Sequence, residues 1–385
     1  MEIYNYLIAA LKNVVNNTPF KFDKTIDYDK LYEISCGHQV QNIIAYALIP
    51  YKSALSDTCR AKFDNSLYAA AVKDTRQTLA LKTLTAEFEI NEIDYMVLKG
   101  YLMKFLYPST DMRIMGDIDI LLKPQQAEKA KLVLKNLGYI INYENVREFN
   151  CVKDKFINME IHLDMVSAQY KKLHDYYKNI WDKAVNAGGH EYKISDEDYF
   201  IYHIVHLAKH YKGTGAGLRP FLDVYIFIKN KSGLKFDYIF SELKKIDLDI
   251  FAKNVIALSD MWFGEGARSS VLSEMEEYIL TGGVYGLKER EELQASVKSI
   301  KDGKIHTYMS ILFPSMHVMS SLYPRLLERK YLLWFYYIKR IFDKLFAKEE
   351  LRKAAFEKLS EVNVDEEAQS IVKHLNAVGL GEDSK

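Results

Sequence analysis

The side chains best suited to chemistry lie between Lys99 and Asp164. Asp117 and Asp119 stand two apart in GDIDILL, Gly116 to Leu122. On a strand that spacing sends both carboxylates to one face, about 7 Å apart along the backbone. Ile118, Ile120 and Leu122 then face the core. Two such carboxylates repel, and burying them is costly without a cation. A hard divalent ion with oxygen ligands, Mg²⁺ or Mn²⁺, relieves that cost. Further along, MEIHLDM alternates, with Met159, Ile161 and Leu163 pointing one way and Glu160, His162 and Asp164 the other. A neighbouring strand of this kind would bring a third carboxylate, Glu160 or Asp164, beside the aspartate pair. Three carboxylates holding two metal ions suit in-line phosphoryl transfer, where one ion activates the attacking oxygen and the other neutralises the leaving group. Either acidic motif alone also suits a solvated strand surface. Their conjunction points to a site.

A phosphate-binding turn is expected just upstream. Lys99 and Gly100 end one predicted strand and open a helix, where backbone amides can approach an anion and the ammonium adds a point charge. Arg113, four residues before Asp117, offers a fork-shaped donor for a second phosphate contact. His203, His206 and His210 recur at helical spacing, and at least His206 and His210 share a face. A metal site there would need His162 or Asp223 as a third ligand. The reading favoured by the pattern has this helix lining the mouth of the cleft, with His162, His206 and His210 in contact with nucleotide or acceptor. Arg219 and Asp223, four apart, suit a helical ion pair or a phosphate contact by Arg219. KGTGAG, Lys212 to Gly217, follows a helix and not a strand, which excludes a Walker-type phosphate loop.

These residues need a scaffold. The first 90 or so residues read as helices, between Tyr28 and Leu48 and again from Ser53 to about Ile90. Strands are expected at Asp94 to Gly100, Asp117 to Lys123, Tyr139 to Val146 and Asp154 to Val166. A helix after Pro124 should stop at Gly138. This order implies a small mixed sheet with helices on one side. Helical pattern returns after Ser195, an N-cap, and includes an aromatic helix at Tyr331 to Phe346. The expected organisation is an N-terminal helical region (1–92), a catalytic α/β core (93–192), a C-terminal helical domain (193–348) and a charged tail (349–385), either a solvated helix or partly disordered.

The string LKG (Leu98 to Gly100), Arg113 and GDIDILL resemble the DNA polymerase β-like nucleotidyltransferase superfamily. More narrowly they are similar to its uncharacterised NTP_transf_5 type, in which LKG replaces the usual Gly-Ser signature. LGY (Leu137 to Tyr139), EIH (Glu160 to His162), HLAKH (His206 to His210), RPFLDVYIF (Arg219 to Phe227) and, more loosely, LFPSMHVMSSLYP near 312–324 are similar to later elements of that family. The resemblance implies an α/β nucleotidyltransferase core flanked by helices. It implies that Asp117 and Asp119 bind metal, that Gly100 and Lys99 cradle phosphate, and that Glu160 holds a metal or takes the acceptor's proton. The expected reaction transfers NMP from an NTP to an acceptor and releases pyrophosphate. The acceptor would be a small molecule, with RNA ends or protein side chains as alternatives, and a non-catalytic scaffold of the same fold as another.

Composition narrows the partners. The 385 residues carry 52 Lys+Arg against 52 Asp+Glu, a net charge of zero, which disfavours a long polyanion held by bulk electrostatics. A local basic groove of Lys99, Lys104, Arg113 and Lys209 would still grip a nucleic-acid end. Three scattered cysteines, Cys36, Cys59 and Cys151, exclude a disulfide scaffold and fit a cytoplasmic compartment. The N-terminus reads as an amphipathic helix, not a signal peptide, and no apolar run is long enough to span a membrane.

Overall fold

The computed structural model describes residues 2–168, 170–213, 215–282, 319, 330–345 and 365–381. Most of 312–324 lies outside the described residues, as do 346–364, which take in the last residue of the expected aromatic helix and the start of the expected tail.

Seven strands form one mixed sheet in the order β3-β4-β5-β2-β1-β7-β6. They are β1 (Tyr95–Val97), β2 (Ile118–Leu122), β3 (Ile140–Glu144), β4 (Glu148–Asp154), β5 (Ile157–His162), β6 (Val185–Gly188) and β7 (Glu191–Lys193). The central strand β2 is buried along its whole length. It pairs antiparallel with β1 and parallel with β5, and its register sets Asp119 opposite Glu160. Four strands fall where the sequence predicts them. The other three, β4 and the β6–β7 hairpin, were not expected. All four residues of β6 are exposed, so no buried face marks it in the sequence, and the Gly188–Gly189 turn is its one local signal.

The N-terminal helices are α1 (Glu2–Asn16), α2 (Tyr28–Gly37), α3 (Gln41–Leu48) and the long α4 (Asp57–Ile90). One turn, α5 (Gly100–Met103), follows β1, and α6 (Ala127–Asn136) follows β2. The capping chemistry is local and legible. The Asp27 side chain accepts from Lys30 N, and Ser56 from Cys59 N. Gly138, at φ 82°, ends α6 in a conformation that other residues resist. After α7 (Lys171–Tyr177) and α8 (Ile180–Lys183), a helical assembly begins. It comprises α9 (Asp196–Lys212), α10 (Leu218–Asn230), α11 (Phe236–Lys245), α12 (Asp249–Phe263) and α13 (Ser270–Gly282). Ser195 caps α9 through Asp198 N at 3.0 Å, as its position predicts.

The sheet is covered on both faces, where helices on one side were expected. Ile118, Ile120 and Leu122 point to α4 and α6, packing with Leu84, Phe88 and Leu134. Strand alternation sends Leu121 the other way, with Met96 and Leu98, into a second and larger core. That core joins Leu7 and Ile43 from the N-terminal helices to Leu207 and Phe251 from the C-terminal ones. α4 spans both cores, with Phe63 in one and Leu84 in the other.

Two later helices are described, α14 (Leu333–Leu345) and α15 (Asp365–Ala377). α14 buries Tyr337 against Met319 and exposes Trp334, Phe335 and Ile338. The region expected to be solvated or disordered holds a docked segment. Leu375, Val378 and Leu380 enter the large core, and the His374 ring lies 4.5 Å from Tyr278 and bonds the Tyr211 hydroxyl at 2.8 Å. No helix among the described residues is long and apolar enough to cross a membrane.

His38, at the end of α2, is buried beneath the ring edge of Tyr4. Burial holds its pKa down to about 4, against an ordinary value of 6.5. Between these values the unfolded chain binds a proton that the fold refuses, so acidification from pH 7 weakens the fold. At pH 5 the penalty is about 2 kcal/mol. Urea denaturation at pH 7 and pH 5 should show His38→Gln losing about 2 kcal/mol less than the native chain on acidification. Equal losses would contradict this assignment.

Candidate functional site

Asp119 is the anchor of the site. It is the single charged residue of β2 and is 4% exposed. Its Oδ1 accepts from Lys99 Nζ and lies 2.9 Å from His162 Nε2. Glu160, its register partner on β5, stands 3.9 Å from Lys99 Nζ and 3.5 Å from His162 Nε2. His162 Nδ1 faces Glu148 of β4 at 3.5 Å, and Glu148 is paired on its far side with Arg147. The antiparallel β4–β5 register, Glu148 opposite His162, makes this row possible.

The charges are mutually determined. Burial alone would push the Asp119 carboxyl up, but Lys99 and His162 hold it well below the usual range. Burial would favour a neutral Lys99, but Tyr202, Asp119 and Glu160 overcome it and raise the ammonium's pKa. His162 is likewise raised, burial being outweighed by the nearby carboxylates of Asp119 and Glu148. Glu148 falls to about 2, since His162 and Arg147 outweigh its burial. Asp117 and Glu160 move upward instead. Burial is the main cause for both; Asp119 adds to it for Asp117, and Asp119 and Asp117 both add to it for Glu160. The site thus holds two firmly ionised carboxylates, Asp119 and Glu148, and two that bind protons more readily, Asp117 and Glu160.

Asp119, Glu160 and His162 place one ligand atom each within 4.8 Å of one another, the only such group among the described residues. Asp117 precedes β2, half-buried, in the same cleft. β5 ends at His162, so the alternation that would set Asp164 beside Glu160 stops short of it.

Lys99 has φ 50° and ψ −130°, a conformation costly for a residue with a side chain. It is pinned twice, by its ammonium on Asp119 and by the Tyr199 hydroxyl of α9, which donates to its carbonyl. Gly100 follows because space is short: a Cβ there would lie 3.0 Å from Met115 Cγ. α5 is a single turn, so its N-terminus has little macrodipole to offer an anion.

The cleft measures about 1650 Å³ and lies between the Asp119 face of the sheet and α9, with the Lys99–Gly100 turn and Gly213, Gly215, Ala216 and Gly217 on its walls. His203, His206 and His210 all line it. The His206 and His210 rings meet at 4.5 Å, and His203 Nε2 faces the Pro220 carbonyl at 3.3 Å. Burial pulls the His206 and His210 pKa values down, His210 to about 4.

Over this geometry, a family model described as an uncharacterised nucleotidyltransferase matches residues 24–264, well over half of the chain. The chain belongs to that family. No curated protein and no solved structure matches it. The family match covers β1 to β7 and α2 to α12, so it takes in every residue of the acidic row, the Lys99 turn and the α9 wall.

Some expected contacts are otherwise engaged. The Arg113 Nε bonds both Asp223 oxygens, at 2.7 and 2.9 Å, while Tyr107 donates to the same carboxylate. Asp223 is therefore paired with Arg113 and not with Arg219, whose Nη1 reaches the Ile114 carbonyl. Lys104, expected in a basic groove, is fully buried on Asp74 and Thr78. Glu148, Arg147, Tyr199 and Tyr202 belong to the site but were not anticipated. The alternation of Phe149 and Cys151 against Glu148 and Asn150 is the signal that finds Glu148.

The Arg113–Asp223 pair anchors α10 to the loop leading into β2. Asp223→Ala leaves a buried guanidinium unmatched and should destabilise the fold by about 3–5 kcal/mol in urea denaturation. Adding Arg113→Met to Asp223→Ala should recover part of that loss. A cost below about 1 kcal/mol for the single variant would contradict the pair's role.

Proposed function

We propose that this chain is a metal-dependent nucleotidyltransferase that moves NMP from an NTP to an acceptor hydroxyl, with release of pyrophosphate. The observation carrying the reading is the conjunction of Asp119, Glu160 and His162 within 4.8 Å in a large cleft beside the Lys99–Gly100 turn. Family membership supports nucleotidyl transfer in general.

The donor set fits a divalent ion. Asp119 and Glu160 offer oxygens, and His162 offers Nε2 while Nδ1 faces Glu148. A carboxylate close to the other nitrogen of a ligating histidine is a common device for fixing ring orientation, and Glu148 Oε2 stands at 3.5 Å from Nδ1, near enough to draw in. The mixed set suits Mn²⁺ alongside Mg²⁺. Asp117 is the further carboxylate available to a second ion. A divalent ion bound here supplies positive charge against the developing charge of the transferring phosphoryl group. Lys99 occupies Asp119 Oδ1 and so must share that carboxylate.

In the transfer, the acceptor oxygen attacks the α-phosphorus of the NTP. The bond from that phosphorus to the α,β-bridging oxygen breaks, and its electron pair leaves with pyrophosphate. Glu160 receives the acceptor's hydroxyl proton on the carboxylate oxygen that it does not offer to the ion. Lys99 and the Gly100 backbone orient the triphosphate. Tyr199 keeps the Lys99 turn in place.

Glu160→Gln keeps the shape and removes the base. It should lower transfer of label from α-³²P NTPs by about 10²–10⁴-fold, with the urea midpoint little changed. Undiminished transfer would sink the proposal. Glu148→Gln should weaken Mn²⁺ binding about 10–100-fold in calorimetry by freeing the His162 ring. Unchanged affinity would remove His162 from the ligand set. Label transfer to protein or RNA in a cell extract would instead favour the macromolecular acceptors.

A further inference from the structure

The cleft is larger than one nucleotide needs. Small-molecule pockets run to about 300–1,000 Å³, against about 1650 Å³ here. Its second half is built by the continuing face of α9. Tyr199, Tyr202, His206 and Lys209 follow at intervals of three and four, one helical face. The first two stand at the Lys99 turn and the last lies towards the helix C-terminus. Arg147, in the turn between β3 and β4, lines the same cleft, as does Lys171 at the start of α7.

Lys209 is exposed to the cleft, and among the described residues it makes no ion pair or hydrogen bond through its ammonium. Burial, then the like charges of Arg147 and Lys99, pull its pKa down, and Glu148 and Glu160 only partly offset them. Both carboxylates already have partners. Arg147 and His162 take Glu148, and Lys99 and His162 flank Glu160. Lys209 thus stands without a carboxylate of its own beside the like charges of Arg147 and Lys99, a cost that an incoming anion relieves.

We propose that Lys209 and Arg147 form an anion subsite on the α9 wall, separate from the triphosphate position at Lys99–Gly100, which holds a phosphate group of the acceptor. This rests on the transferase reading and specifies its second substrate as a phosphorylated small molecule. A tetrahedral phosphate neutralises the Lys209 point charge on one oxygen and accepts on another from guanidinium N–H groups of Arg147 beyond the one turned to Glu148.

The test is calorimetry on the full chain saturated with Mg²⁺ and a non-hydrolysable NTP analogue, titrated with inorganic phosphate at low ionic strength. Phosphate should bind, acetate should bind at least about tenfold more weakly, and Lys209→Glu should weaken phosphate about tenfold or more. Lys209→Arg should restore binding. Affinity for the NTP analogue should stay within about twofold in both variants. Phosphate that fails to bind the nucleotide-loaded protein overturns the subsite and leaves the transferase reading standing. So does a Lys209→Glu variant that weakens the nucleotide instead, since the wall would then serve the triphosphate. A native chain that binds no nucleotide with Mg²⁺ overturns both.

Discussion

One buried carboxylate organises this molecule. Asp119 is the only charge on a central strand whose neighbours are all apolar, so its ionisation depends on what meets it. Lys99 and His162 meet it from the two adjacent strands, β1's end and β5. Neither could be ionised at that depth alone, and neither could the aspartate. The three charges justify one another, and the strand order β5-β2-β1 is what puts them in a row.

The same constraint reaches outward. Lys99 meets Asp119 from a backbone conformation that costs free energy, so something must hold it, and Tyr199 of α9 does. α9 therefore packs where the site needs a wall, and its next turns carry His206 and Lys209 along the cleft. α10 is tied to the loop before β2 through Asp223 and Arg113. The helical assembly is thus a structural part of the site, contributing both support and lining.

The acidic row was legible because its signals are local. Two-residue alternation in GDIDILL and MEIHLDM, and a glycine after LK, need no knowledge of distant chain. Even so, the alternation misled at Asp164, since a pattern can outlast the strand that carries it. The remaining differences are long-range. Arg113 finds Asp223, 110 residues away, and Lys104 finds Asp74, 30 residues back on α4. Both are cations that sequence reading sends toward phosphate. Nothing in their immediate neighbours tells a ligand-facing arginine from one neutralised by a remote helix. β6 escaped for a different reason: a fully exposed edge strand has no buried face to leave a trace.

The docking of α1 against α12 bears on how the chain acquires this fold during synthesis. Asn16 donates to the carbonyl of Phe263, 247 residues later, and Lys12 reaches Gly264. At about 5–20 residues per second, roughly 12–50 s separate the emergence of the two halves of this contact from the ribosome. Throughout that interval the apolar stripe of α1, Leu7 and Leu11 included, can pack on α3 but lacks the side that α12 covers. α1 is thus completed only late, and a nascent chain must keep the uncovered side of that stripe from other surfaces until α12 arrives.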